Sequence, residues 1–565
     1  MYISNYRRRN EAVFLVFFIF LLLCIGRLFY IQFFRSSHLA SLANKQHNQL
    51  VELEPRRGAI YDCNLKMQAF NMSLDSLYAV PNSIKDKESV IDKLMPILGT
   101  DRAYLKDRLY RSKAFIWLAR KLTPEKSEAI KKSNIKGLGF MKETKRIYPN
   151  SYLASHIIGF SGMDNVGLEG AERDFNQYLS GMPGWAIFLR DARLKKLDIW
   201  EKMVLPVDGL DLVLTVDEVI QYVAERELDK AFKSSRAKSA SVIVMDPHTG
   251  RILAMASRPT YDLNSRSGVS KDSMRNRAIC DLFEPGSVFK IVTASAALEE
   301  KKVTEEDVFF CENGAYRVGG RILHDHQSHG NLTFRQVIEE SSNIGTVKVA
   351  MLLGPDTVYR YLKSFGFGSK LGFDLSGEIS GMIRPVRQWS KTSITAIPIG
   401  QEVGVTALQL ASAISVIANG GQLMKPYIVD SVRDNQGQII KQNKPTLIRK
   451  VISLDTAMRI KKILTGVVEE GTGRMAKVSG FSAAGKTGTA QKLEPNGAYS
   501  HTKFVASFIG FAPAEDPLLA IVVTVDEPRG SYFGGVVAAP VFKNIAGDVI
   551  RYLKGNEMPV EGLAQ

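Results

Sequence analysis

Apolar and polar positions divide this 565-residue chain into three regimes. The first is continuous. No charged side chain occurs from Ala12 to Gly26, and after Arg27 a second apolar run extends from Leu28 to Phe34. Together they make about 23 residues, or about 35 Å as helix, against a bilayer core of about 30 Å. The pattern predicts a membrane anchor over 12–34, with Arg27 near its outer end, where a long side chain reaches the interface. Arg7, Arg8 and Arg9 put a tail of residues 1–11 in the cytoplasm and the remainder outside. A cleaved signal peptide is the rival reading, because Ser41-Leu42-Ala43 resembles a small-x-small site. That site lies well beyond the apolar run, so an uncleaved anchor is expected.

The second regime, residues 35–205, alternates in short pieces. Arg56 to Asp62 reads as a turn into a strand, and Arg102 to Lys136 as largely helical, basic and solvated. Gly167 to Arg173 leads into a helix that stops near Gly181, Pro183 and Gly184. The expectation is a mixed α+β binding or spacer module, with a boundary near Pro206–Gly209.

The third regime carries the clearest strand signals. Ser241–Met245 and Arg251–Ser257 are apolar runs joined by Asp246-Pro247-His248-Thr249-Gly250, a hairpin signal. Ser482–Lys492, Lys503–Phe511 and Leu518–Asp526 come much later, the last two joined through Pro513–Pro517. Leu212–Val216 is a short strand before a helix capped by Asp217. Two early strands and three late ones, with helices between and a closing helix from Ala538 to Leu553, predict a five-stranded antiparallel sheet with a helical insertion.

Composition changes this picture little: 45% hydrophobic and 23% charged residues are ordinary for a globular protein. The net charge of +16 implies an anionic neighbour. The charge is dispersed and lacks a basic cluster with interleaved aromatics, so a membrane surface or cell-wall polymer fits better than nucleic acid. The four cysteines, Cys24, Cys63, Cys280 and Cys311, form no Cys-x-x-Cys; a Cys280–Cys311 disulfide is one open pairing.

The chemistry lies in three short stretches. In Phe283-Glu284-Pro285-Gly286-Ser287-Val288-Phe289-Lys290, a Pro-Gly loop runs into an apolar helix, which puts Ser287 and Lys290 on one face at its N-terminus. Ser341-Ser342-Asn343 follows a helical pattern, and Lys486-Thr487-Gly488-Thr489 lies on the first late strand. In this order they match the trio of penicillin-recognising serine acyltransferases. Ser287 is the expected nucleophile, and Lys290 its base. An ordinary lysine, near 10.4, has to come down by roughly 3 pH units for that role; burial and a second ammonium, Lys486, both push it down. Ser341 can relay a proton, Asn343 can hold Lys290, and the N–H groups of Ser287 and Thr489 can form an oxyanion hole. Thr487 and Thr489 hydroxyls can bind a carboxylate beside Lys486, and Gly488 leaves room for substrate backbone along the strand. Structural alternatives stand beside these roles. Ser341 and Ser342 can cap the next helix, and Lys486 can guard a sheet edge. His324-Asp325-His326…His329 has zinc-like composition but no fourth ligand, so a hydrogen-bonded loop is expected, with no metal or cofactor.

With these residues in view, the chain resembles a class B penicillin-binding protein, a peptidoglycan D,D-transpeptidase. The resemblance extends to Arg57-Gly58-x-Ile60-x-Asp62, Arg146-x-Tyr148-Pro149, Gly170-x-Glu172, Gly400-Gln401 and Gly534-Gly535. It implies a penicillin-binding transpeptidase fold over 206–565, a pedestal or dimerisation domain over 35–205, and a single-pass protein of the bacterial cytoplasmic membrane with its catalytic domain outside. The implied reaction joins stem peptides through a Ser287 acyl-enzyme that β-lactams trap. The implied partners are a SEDS-type glycosyltransferase and other division proteins. Glu284-Pro285-Gly286 resembles the division-type, FtsI-like branch; Cys63 departs from the family, which usually has Arg there. The alternatives are an elongation-type transpeptidase, a carboxypeptidase or β-lactamase, and a non-catalytic penicillin sensor.

Overall fold

The computed structural model describes residues 2–111, 115–190, 196–265, 268–494 and 496–557, in two compact units. Residues 558–565 of the expected catalytic domain lie outside the described residues.

The first unit holds residues 1–56 and 181–209. Its helix Tyr2–Phe34 leaves side chains such as Phe14 and Phe33 more than 70% exposed, and its stretch 7–34 is long and apolar enough to cross a membrane. The helix Ser36–His47 leads into strand Asn48–Leu53, which pairs antiparallel with Gly184–Arg190; Lys196–Val204 completes a three-stranded sheet.

The second unit holds 57–180 and 210–565. Strand pairing inside it runs across the expected 205/206 boundary. Ile60–Tyr61 lies parallel to Asp211–Leu214 and antiparallel to the long strand Met67–Ala79, within a seven-stranded sheet. Beside it, buried Glu172 accepts from Arg57 Nε at 2.7 Å and from Arg146 Nε at 2.6 Å. Three residues singled out by the resemblance are therefore one buried ionic knot. Such a knot tolerates burial because each charge is met by hydrogen bonds. The stretch 102–136 is not wholly helical: strand Ile116–Ala119 separates helices Arg102–Leu109 and Pro124–Lys132. Ile116 and Leu118 face the helices and Trp117 faces outward, an alternation that the basic flanks obscured.

The five-stranded antiparallel sheet has the expected composition. Its strands are β1 (Ser239–Met245), β2 (Ile252–Arg258), β3 (Ala484–Leu493), β4 (Tyr499–Ala512) and β5 (Leu519–Asp526), in spatial order β2-β1-β5-β4-β3. Both faces are covered, so the strands read as nearly continuous apolar runs. Ile243, Met245, Val522 and Ile509 join the core of the helical insertion, whose helix Ala407–Ala418 is buried along its whole length. Val242, Val244, Ile521 and Phe508 pack on the other side with helix Glu218–Ser234 and the closing helix Ala539–Glu557. Asp217 caps helix Glu218–Ser234 through Val219 and Ile220 N–H. All four cysteines are free thiols, so Cys280 and Cys311 are not bridged.

Candidate active site

The loop before Ser287 enters a 3₁₀ turn, Gly286–Phe289, and then helix Lys290–Glu299. Gly286 has φ of +58°, and a Cβ there would come within 2.9 Å of the Thr489 carbonyl oxygen. A glycine therefore lets the turn lie directly on β3, the edge strand of the sheet. Ser287 is half-buried at the start of this turn, while Lys290 and the helix as far as Leu298 are buried.

Lys290 is not hydrogen-bonded to Ser287. Its ammonium donates to the Ser341 carbonyl at 2.5 Å, to Ser341 Oγ at 3.2 Å and to Asn343 Oδ1 at 2.8 Å. Ser341 presents its carbonyl from a left-handed conformation, φ +59°. Ser342, not Ser341, caps the next helix, Asn343–Leu353, by accepting from Gly345 N–H at 2.9 Å. The capping alternative thus holds for one serine of the motif and leaves the other on the lysine. Asn343 Nδ2 donates to the His324 carbonyl at 2.9 Å, which turns Oδ1 towards Lys290.

The residue that organises this wall lies in the polar loop of His324-Asp325-His326. Asp325 accepts from Ser342 Oγ at 2.6 Å and from the N–H groups of Asn343 at 2.6 Å and Ile344 at 3.0 Å. It supplies a negative charge at a helix N-terminus, where orphan amides and the helix dipole favour one. The only cue to this role was a carboxylate between two histidines with no fourth ligand. Asp325 is thus committed to the helix start rather than to a metal.

Lys486 projects from β3 and is fully buried, which contradicts the edge-guard reading: a solvated charge is needed for that role. Its hydrogen bonds are long, 3.4 Å and 3.5 Å to Thr487 O and Oγ1. Burial, then the Lys290 charge, hold its pKa well below the lysine range, with Glu340 acting the other way. Burial brings Lys290 down to about 7, opposed by Asp325. The two amines thus occupy one poorly solvated site, where the Lys290 charge acts on Lys486.

Thr487 and Thr489 complete the wall. Thr487 Oγ1 lies 3.1 Å from Thr472 Oγ1, and Thr489 Oγ1 accepts from Gly534 N–H at 3.1 Å. Gly488 serves a different purpose from the one expected. A Cβ there would meet Ser507 Oγ at 2.3 Å, Val288 Cγ1 at 2.8 Å and the Pro285 carbonyl at 2.9 Å. Its missing side chain makes room for the Pro285–Val288 turn that carries Ser287. Chemically, the arrangement offers a hydroxyl, two amines of depressed basicity, a relay hydroxyl and an amide, which is what serine acyl transfer needs.

Residues 240–547 match the family profile described as penicillin binding protein transpeptidase domain, and residues 52–214 that of the penicillin-binding protein dimerisation domain. The chain is 37% identical over 559 residues to stage V sporulation protein D of Bacillus subtilis, covering 97% of this chain and 86% of the relative. It is 30% identical over 570 residues to the peptidoglycan D,D-transpeptidase FtsI of Escherichia coli, covering 96% and 93%. Among solved structures, penicillin binding protein 3 of Mycobacterium tuberculosis complexed with aztreonam aligns with a TM-score of 0.70 at 29% identity, over 89% of this chain and 97% of that one.

Proposed function

The chain belongs to the class B penicillin-binding proteins of the FtsI type, and from that premise we propose that it is a serine peptidoglycan D,D-transpeptidase that cross-links stem peptides at the septum. The observation that carries the reading is the seat of Lys290: buried, three residues past Ser287, and held on Ser341 and Asn343 beside a second buried amine.

In this reading Ser287 Oγ attacks the carbonyl between two terminal D-alanines. Neutral Lys290 takes the hydroxyl proton as the oxygen–carbon bond forms, and Ser341 passes a proton to the departing amine as the carbon–nitrogen bond breaks. The N–H groups of Ser287 and Thr489 hold the oxyanion. Lys486, Thr487 and Thr489 receive the terminal carboxylate. An amine of a neighbouring stem then displaces Ser287, and its proton returns through the same groups. A β-lactam presents a carbonyl and a carboxylate at the same spacing and traps the acyl-enzyme.

The apolar helix anchors the protein in the cytoplasmic membrane with residues 1–11 inside, and the catalytic domain works outside. Residues 35–205 act as the pedestal and 206–565 as the transpeptidase. The partners are a SEDS-type glycosyltransferase and other division proteins. Purified protein supplied with uncross-linked glycan strands bearing pentapeptide stems should release D-alanine and form cross-linked dimers; D-alanine release without dimers would identify a carboxypeptidase. A second reading, a wall made during sporulation, is favoured by the 37% identity to a sporulation protein. Depletion separates the cases: filaments mean division, round cells elongation, and normal growth with defective spores the developmental role.

A further inference from the structure

Residues 81–147 carry 17 lysines and arginines against 8 acidic residues, a surplus of nine in a chain whose net charge is +16. Counting Asp75 on strand Met67–Ala79 of this small α/β lobe, the surplus is eight, half of the positive balance. The lobe also presents an aromatic platform. Trp117, Tyr78 and Gly139 lie directly opposite one another on three adjacent strands. Tyr78 lies over Gly139, where a Cβ would meet its ring at 2.3 Å. Phe115 packs on Tyr78 at 4.8 Å and edge-on to Trp117 at 5.0 Å, and remains 39% exposed, while Met141 beside them is 47% exposed. The Arg120 guanidinium sits over the Trp117 ring at 5.7 Å. The opposite face of these strands is occupied by the lobe's own core, including Leu77, Ile116 and Leu118.

We propose that this platform binds a glycan strand of peptidoglycan, with sugar rings laid on Trp117 and Phe115 and stem carboxylates met by the surrounding cations. The proposal rests on the reading of the protein as an extracytoplasmic wall enzyme. Three features select this occupant. A partly exposed cluster of edge-to-face rings offers apolar surface to the C–H faces of hexoses. The positive surplus of the lobe suits a polymer with carboxylates at intervals. The lobe also has a core of its own, distinct from the two that flank the five-stranded sheet, so a strand bound there does not occupy the catalytic residues.

The experiment uses full-length protein in detergent, first acylated with fluorescent penicillin so that the active site is closed, and sedimented with purified sacculi. Wild type should pellet and be released by muramidase-solubilised glycan. Phe115→Ala/Trp117→Ala should bind about tenfold or more weakly, with unchanged penicillin labelling and unchanged melting, and Trp117→Tyr should restore part of the affinity. Equal sedimentation of the double-alanine variant overturns the proposal, as does wild type that labels but stays in the supernatant. Retention on phosphatidylglycerol-coated beads with the same dependence on the aromatics would overturn it in favour of a membrane contact. Failure of wild type to label at all indicts the catalytic reading instead.

Discussion

Asp325 Oδ1 accepts the backbone N–H of Asn343 at 2.6 Å, and the amide of the same asparagine holds Lys290 at 2.8 Å. A carboxylate 18 residues upstream thus aims the group that seats the proposed base. Asp325→Ala removes the cap and its three hydrogen bonds. It should lower stability by about 1–2 kcal/mol and slow acylation by penicillin at least tenfold; Asp325→Asn, which keeps an acceptor for the helix amides, should recover most of the stability. Thermal melts and stopped-flow acylation of both variants check this, and equal acylation in all three proteins would remove Asp325 from the mechanism.

The pH dependence follows from the same charges. In the proposed mechanism neutral Lys290 is the active form, so acylation should rise with pH through about 7 and level off above it. Asp325 favours the protonated amine; neutralising it in Asp325→Asn lowers the Lys290 pKa further, and the midpoint should move to lower pH. A midpoint that moves upward would mean that the titrating group is not Lys290.

Lys486 separates stability from function. Its fully buried amine makes only long hydrogen bonds, to Thr487, so folding desolvates it without a good partner. Lys486→Met keeps the volume and removes that cost. The variant should melt at the same or a higher temperature yet acylate at least a hundredfold more slowly. Below the ordinary lysine range the unfolded chain binds more protons than the folded one at this position, so wild-type stability should rise with pH there and the variant's should rise less. Normal acylation together with reduced stability would reverse the assignment.

Gly488→Ala should act through the nucleophile's turn. The new methyl would press on Ser507 Oγ, Val288 and the Pro285 carbonyl, costing about 1–3 kcal/mol and displacing Ser287. Both melting and acylation should fall. A loss of peptide turnover with unchanged melting would instead restore the idea that the glycine clears space for substrate.

Glu172→Gln tests the ionic knot remote from the chemistry. Two buried guanidiniums would face a neutral amide, with an expected loss of about 3–5 kcal/mol. Correctly folded variant at low temperature should still acylate, because none of these side chains reaches Ser287.

The parts of the site that could be read from sequence were those marked by short local patterns. Ser287…Lys290, Ser341-Ser342-Asn343 and Lys486-Thr487-Gly488 each announce themselves within a few residues, and the strands around Val242–Met245 and Ile521–Val525 are apolar enough to be unmistakable. What escaped depends on partners distant in sequence. Asp325 acquires its role only when the 324–329 loop folds onto the start of helix Asn343–Leu353. The direction of a glycine's missing side chain, as at Gly488, depends on which face of β3 the Pro285–Val288 turn occupies. Strand Ile116–Ala119 has only four residues between basic helices, too few for its alternation to outweigh its neighbours.

The central claim is that Ser287 is the group acylated. Intact protein treated with penicillin should gain one β-lactam mass, and that mass should map to the tryptic peptide Ala278–Lys290, on Ser287. A folded Ser287→Ala variant should gain none. An adduct on another peptide, or an equal mass gain in Ser287→Ala, would contradict the account at its root.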